Sequence, residues 1–180
     1  PLLSGDGQFY LLALSQQQIR LFQGSRHSIV QMELSGLASS LVEALRGQDP
    51  QKQLQFHTVG GAAGATGQRP ALFHGHGGGA DDVNDRILHY FHQVDEIVKQ
   101  VLSGEQSPLV LAAVGYMLPI YREANSYPYL IEPAVEGSPA RLSTGALHRR
   151  GWDIVAPLFA EKRQQAARRC EQLADTSLVS

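Results

Sequence analysis

The sequence predicts an α/β fold in three layers, with helices on both faces of a mixed β-sheet. Short apolar runs near the start of the chain are separated by turn-forming residues, which indicates neighbouring strands. A later run, residues 109–114, is apolar throughout and is typical of a strand covered on both faces. Two long segments with helical apolar spacing flank that run, and this combination of strands and helices favours a layered α/β domain.

Three strands are predicted at residues 8–14, 19–22 and 28–34, because each run is apolar or alternating. We expect them to form a three-stranded meander. The residues predicted to face its core are Tyr10, Leu12, Leu14, Ile19, Leu21, Ile29 and Val30. A short helix is expected within residues 37–46, where apolar residues recur at helical spacing, and a further strand within residues 52–59.

A glycine-rich segment follows, and residues 60–80 are predicted to form a flexible loop that is either functional or a simple linker. Its last glycines, Gly77, Gly78 and Gly79, allow close backbone approach and leave N–H groups that can meet an anion at a helix N-terminus. A long helix is predicted over residues 82–102, because apolar residues recur there at steps of three and four. Aspartates crowd its first turn, where carboxylates stabilise a helix start.

The remainder of the chain predicts one central strand, a possible edge strand and two helices. The central strand is the apolar run at residues 109–114, and residues 117–124 are predicted to form a short helix. Residues 130–135 could form an edge strand. A last long helix is expected over residues 143–173, with a kink or break at Pro157. Its predicted inward residues are Leu147, Ile154, Val155, Leu158 and Phe159.

Composition excludes several classes of protein. With 180 residues, 43% hydrophobic and 18% charged, the chain is typical of one globular domain. A net charge of −2 gives no overall attraction to nucleic acid, so any RNA contact must come from a local patch. Cys170 is the single cysteine, which fits a reducing compartment and predicts a cytoplasmic location. No run is long enough to span a bilayer, so no membrane partner is expected.

The run from His74 to Ala80, followed by the apolar strand from Leu109, resembles the middle domain of eukaryotic and archaeal peptide-chain release factors. In particular, the chain resembles a bacterial branch of release-factor-like proteins, whose signature matches residues 74–79, 90–95 and 118–125. The resemblance implies a ribonuclease-H-like sheet with helices on both faces. Because the chain begins without a methionine or leader, we expect residues 1–175 to be one domain of a longer protein with flanking domains.

Carried over to this sequence, the resemblance assigns Gly77 and Gly78 to the two glycines of the family's Gly-Gly-Gln tip. Gly79 stands where the family has glutamine. In release factors this tip enters the ribosomal peptidyl-transferase centre, where the glutamine helps to position water and a backbone N–H stabilises developing charge. Gly79 keeps the N–H group without the amide side chain, which argues against efficient peptide release. Gln68, after Gly67, is an alternative source of an amide in the same loop.

Basic residues in two places are candidates for RNA contact. His74 and His76 stand in place of the family's basic lead-in and can bind phosphate when protonated. Arg149, Arg150 and Arg163 belong to the most basic part of the chain and could bind rRNA phosphates. The alternative interpretation is a solvated helix face on which the arginines pair with nearby carboxylates.

Two other groups of polar residues have alternative interpretations. His74, His76, Asp81 and Asp82 could bind a divalent metal, although the spacing matches no standard motif and we expect neither metal nor cofactor. His89, like His92, is expected at the surface or in an interface. A polar-aromatic group after the central strand could line a binding cleft or form a packed corner. It consists of Tyr116, Tyr121, Arg122, Glu123, Asn125 and Tyr127.

Three functions remain open at the level of sequence. The first is a ribosome-directed factor, similar to release factors and the rescue protein Pelota, that contacts rRNA and peptidyl-tRNA and acts in rescue or hibernation. The second is an active peptidyl-tRNA hydrolase that relies on backbone groups of Gly78 and Gly79. The third is a metal-dependent hydrolase on a ribonuclease-H-like platform.

Overall fold

A computed structural model of the protein describes residues 7–37, 40–43 and 78–177. The strand predicted at residues 52–59 lies outside these ranges, as does most of the glycine-rich segment. Of the helix predicted within residues 37–46, residues 41–43 are helical and the rest lies largely outside the described part.

A five-stranded mixed sheet forms the centre of the domain. Its strands are β1 (Phe9–Leu14), β2 (Ile19–Gly24), β3 (Ile29–Met32), β4 (Leu109–Ala113) and β5 (Val135–Glu136), in the spatial order β3-β2-β1-β4-β5. The first three strands pair antiparallel, which confirms the meander, whereas β1 pairs parallel with β4 and β4 with β5. The central position therefore belongs to β1, and β4 lies beside it.

Besides the helical residues 41–43, three α-helices lie in the part of the chain that the structure describes. They are α1 (Gly78–Val101), α2 (Met117–Ala124) and α3 (Thr144–Ser177), and a short 3-10 helix, Pro139–Arg141, precedes α3. All three were predicted, although α1 begins four residues before its expected start. Helix α3 continues through Pro157, so the predicted break is wrong, whereas the alternative of a kink at this residue stays a prediction.

Alternate residues of β1 face two separate hydrophobic cores, and all six are buried. Tyr10, Leu12 and Leu14 pack with residues of α1 and α2. On the opposite face, Phe9 and Leu11 pack with residues of α3. Because helices cover both faces of the sheet, its central strands are apolar throughout rather than alternating.

One predicted core position is wrong. Val30 is 64% exposed, and its neighbour Ile29 is half-buried on the α3 side of the sheet. Strand β3 lies at the edge of the sheet, where Val30 pairs with the exposed Gln23. The other predicted inward residues of the meander, from Tyr10 to Leu21, are buried as expected.

Candidate functional site

The N-terminal part of α1 is exposed where the structure describes its side chains. At about 1.5 Å per residue its 24 residues extend for roughly 36 Å. The first buried side chain among its described residues is Ile87, about 13 Å along the helix from Gly78. Residues 83–85 are exposed, and Val83 retains 46% of its surface. The side chains of residues 83–85 therefore lie outside the hydrophobic cores.

The predicted catalytic glycines lie at or just before this helix end. Gly78 and Gly79 are the first two residues of α1, where backbone N–H groups have no intrahelical acceptor. Gly77, His74 and His76 lie outside the described residues. The structure thus places two of the five loop candidates at the start of α1, and the function of all five stays a prediction.

The opposite half of α1 is fixed by a polar contact that the sequence analysis missed. Asp95, only 3% exposed, accepts hydrogen bonds from the hydroxyl of Ser126 at 2.6 Å and from its backbone N–H at 3.1 Å. Ser126 follows the C-terminus of α2, so the contact ties the two helices together. A signal existed in the sequence, since Asp95 interrupts the apolar stripe between Val94 and Val98.

Buried tyrosines surround this contact. The hydroxyl of Tyr121 is buried without a hydrogen-bond partner, and burial together with the nearby Asp95 carboxylate raises the pKa of Tyr121 well above its usual range. Burial also raises the pKa of Tyr90 to about 12, with a smaller contribution from Glu43. Phe91 packs edge-on against Tyr121 at a centroid distance of 5.5 Å. Aromatic packing and the hydrogen bonds of Asp95 therefore hold the C-terminal half of α1 against α2.

The three predicted RNA-binding arginines lie on the outer surface of α3. Arg149, Arg150 and Arg163 are exposed and form no ion pair with any residue that the structure describes. On an ideal helix Arg149 and Arg163 project within about 40° of one another and about 21 Å apart along the axis, whereas Arg150 points about 100° away from Arg149. Their exposure agrees with the solvated helix face of the alternative interpretation, and binding of RNA by these arginines stays a prediction.

The structure adds a fourth arginine to this surface. Arg26, in the turn between β2 and β3, lines a groove of about 440 Å³ together with Arg163 and Trp152. His148 is half-buried, stacks on Phe9, and places its Nε2 atom 2.8 Å from the carbonyl oxygen of Ser25. His148 therefore holds the turn against α3. Nothing in the local sequence pattern relates Arg26 to α3.

The polar-aromatic group after β4 divides into a packed part and an open part. Tyr127 is buried, and burial raises its pKa to about 12, with smaller contributions from Tyr10 and other groups. Arg122 forms an ion pair with Glu132 at 2.8 Å. Tyr116 instead keeps 47% of its surface exposed and lines a cavity. The packed-corner interpretation is therefore confirmed for Tyr127, whereas the binding-cleft interpretation stays a prediction for Tyr116.

The metal hypothesis rests on side chains that the structure does not describe, those of His74, His76, Asp81 and Asp82. Among the described residues there is no group of three or more potential ligands that could hold a metal ion. His89 and His92 are both exposed, as predicted. None of the helices in the described part of the chain is long and apolar enough to cross a membrane.

A mixed α/β domain whose long helix begins at Gly78 and Gly79, with exposed arginines on α3, agrees with the resemblance to release factors. Comparison with known families makes this assignment specific, because the model of bacterial archaeo-eukaryotic release factor family 7 matches residues 9–157. The chain belongs to this family. Membership suggests a translation-related factor that associates with the ribosome. A search of curated proteins gave no match.

Proposed function

We propose that the chain is a ribosome-binding translation factor domain that directs its glycine segment to the peptidyl-transferase centre during ribosome rescue or hibernation in the cytoplasm. The observation that carries the proposal is the position of Gly78 and Gly79 at the start of a long helix whose described side chains are exposed at residues 83–85 and first become buried at Ile87. A rigid helix of this length can carry bare backbone into a narrow site that a compact domain cannot enter.

The chemistry available at this end is limited to main-chain groups. Free N–H groups at a helix start, aligned with the helix dipole, favour an anion or a developing oxyanion. Such donors contribute to acyl-transfer catalysis, but Gly79 supplies no side chain to position water. We therefore expect binding at the peptidyl-transferase centre with weak peptide release.

Ribosome attachment is assigned to the arginine surface of α3 and to His74 and His76 in the glycine-rich segment. Arg26, Arg149 and Arg163 are unpaired among the described residues, so their charge is available to rRNA phosphates. The double change Arg149→Glu and Arg163→Glu should weaken ribosome co-sedimentation and flatten its salt dependence. Lys99→Glu, an exposed charge reversal near the other end of α1, serves as the matched control.

The decisive experiment compares peptide release from stalled ribosome complexes by the intact protein and by its Gly79→Gln variant. We expect co-sedimentation with ribosomes by both, slow release by the natural protein and faster release by Gly79→Gln. Gly145→Gln, at an exposed helix position with open space around it, should change neither property. Failure of both proteins to bind ribosomes would refute the proposal.

Rapid release by the natural protein, independent of Gly79→Gln, would favour the second candidate function. In that case backbone donors of Gly78 and Gly79 alone would support peptidyl-tRNA hydrolysis.

A further inference from the structure

The loops that follow the three parallel strands enclose a cavity of about 450 Å³. Strands β1, β4 and β5 end at the same edge of the sheet, with Leu14 beside Ala113 and Ala113 beside Glu136. Residues 15–17, 114–117 and 138–141 follow these strand ends and line the cavity. Its volume lies within the range of sites for small organic ligands.

The topology of the sheet explains why an opening exists here. After β1 the chain turns toward β2 on one side, and after β4 it continues toward β5 on the other side. The loops leaving β1 and β4 therefore diverge at adjacent strand ends. In open α/β sheets this divergence leaves a crevice at the carboxyl ends of the strands, where ligands bind.

Three hydrogen bonds hold the segments that form the cavity. The amide of Gln16 donates to the hydroxyl of Tyr116 at 2.8 Å, which joins the loop after β1 to the loop after β4. The N–H of Gly137 donates to the carbonyl of Ala113 at 3.0 Å, which joins the residue after β5 to the end of β4. The guanidinium of Arg20 donates to the carbonyl of Pro139 at 2.9 Å. The walls are thus positioned before any ligand arrives.

The exposed side chains that line the cavity are suited to binding a nucleotide. The ring of Tyr116 is 47% exposed and offers a stacking surface. Arg141 is exposed and forms no side-chain hydrogen bond or ion pair with the described residues. Gln17 is also exposed and carries an amide that can both donate and accept. None of the lining residues that the structure describes is acidic, so a phosphate meets no opposing charge.

We propose that this cavity binds one nucleotide, with the base stacked on Tyr116, its edge hydrogen-bonded by Gln17 and its phosphate bound by Arg141. A planar guanidinium binds phosphate through two parallel N–H donors, and an aromatic ring stacks on any base. The nucleotide is either a free mononucleotide or an unpaired residue of an RNA strand. The site is separate from the glycine end of α1 and does not depend on its function.

The test uses the intact protein without ribosomes and titrates AMP, GMP, CMP and UMP, then a short single-stranded oligoribonucleotide and the corresponding duplex. We expect saturable binding that Tyr116→Ala weakens at least fivefold, the lower end of the effect of losing one stacking partner. Arg141→Ala should weaken binding and reduce its salt dependence, and Arg141→Lys should give an intermediate loss. Tyr116→Phe keeps the ring and should retain most of the affinity.

Two substitutions provide matched controls. Tyr129→Ala removes an exposed tyrosine elsewhere on the surface, and Arg168→Ala removes an exposed arginine of α3; neither should change nucleotide binding. Tight binding of mononucleotides identifies a free nucleotide as the ligand, and binding of the single strand alone identifies RNA. Absence of saturable binding by every probe would overturn the proposal, as would equal losses in the controls or competition by inorganic phosphate that is insensitive to Tyr116→Ala.

Discussion

Gly151→Ala tests how closely α3 packs on the sheet, and hence how the arginine surface is held. A Cβ atom at residue 151 would lie 2.8 Å from Cδ1 of Leu11 and 3.0 Å from Cε2 of Phe9. Both side chains are fully buried in β1, so neither can move without disturbing the core. Overpacking of this kind costs about 1–3 kcal/mol of unfolding free energy. Alanine recovers about 1 kcal/mol through its higher helix propensity.

The matched variant is Gly145→Ala, which lies in the same helix with nothing within 4 Å of the added Cβ. It should leave stability unchanged or raise it by up to about 1 kcal/mol. Because both variants make the same chemical change, the difference between them isolates the contact with Leu11 and Phe9. We expect Gly151→Ala to be the less stable by about 1–3 kcal/mol.

Urea unfolding measures this difference as a shift in midpoint at constant slope. Equal stability of the two variants, or a stabilising effect of Gly151→Ala, would show that α3 does not lie against β1 at this distance. The positions assigned to Arg149 and Arg163 would then be wrong as well.

Further predictions concern the contact between the C-terminal half of α1 and α2. Ser126→Ala removes the 2.6 Å hydrogen bond to Asp95 and leaves a buried carboxylate short of a donor, so urea unfolding should show a loss of about 1.5–3 kcal/mol. Tyr121→Phe removes a hydroxyl that has no partner, so the unfolding free energy should stay the same or rise by up to about 1 kcal/mol. The raised pKa of Tyr121 means that the folded protein keeps this proton at a pH where the unfolded chain loses it. The contribution of the Tyr121 proton to stability is therefore fully present below the unfolded pKa of 10.0 and is lost at higher pH. In thermal unfolding between pH 9 and about 11, the melting temperature of Tyr121→Phe should fall less than that of the natural protein.

Local patterns were sufficient to predict most of the elements. The stripe in α1 and the unbroken apolarity of β4 each reflect burial that acts on nearby residues in the chain. They could not predict that β1 pairs parallel with β4, because this pairing joins segments separated by nearly a hundred residues. The exposure of Val30 follows from the same limitation, since β-propensity does not distinguish an edge strand from a central one.

The candidate sites also differ in whether local sequence or the fold brings their residues together. Gly78 and Gly79 could be found from the sequence because the glycine run adjoins a helix start. Arg26, in contrast, reaches the α3 surface only through the sheet topology. The cavity beside Tyr116 also depends on three loops that meet at one edge. Residue type indicated what each group could bind, but only the fold determined which groups lie together.

Directed hydroxyl-radical probing from the ends of α1 tests whether its glycine end reaches the peptidyl-transferase centre. Cys170 is exposed, so Cys170→Ser provides a background in which a probe is attached through Val83→Cys near the glycine end or Ser103→Cys just past the other end. With ribosome-bound protein, we predict rRNA cleavage around the peptidyl-transferase centre from position 83 and none there from position 103. Cleavage at that centre from position 103 alone, or from neither position, would contradict the proposed orientation.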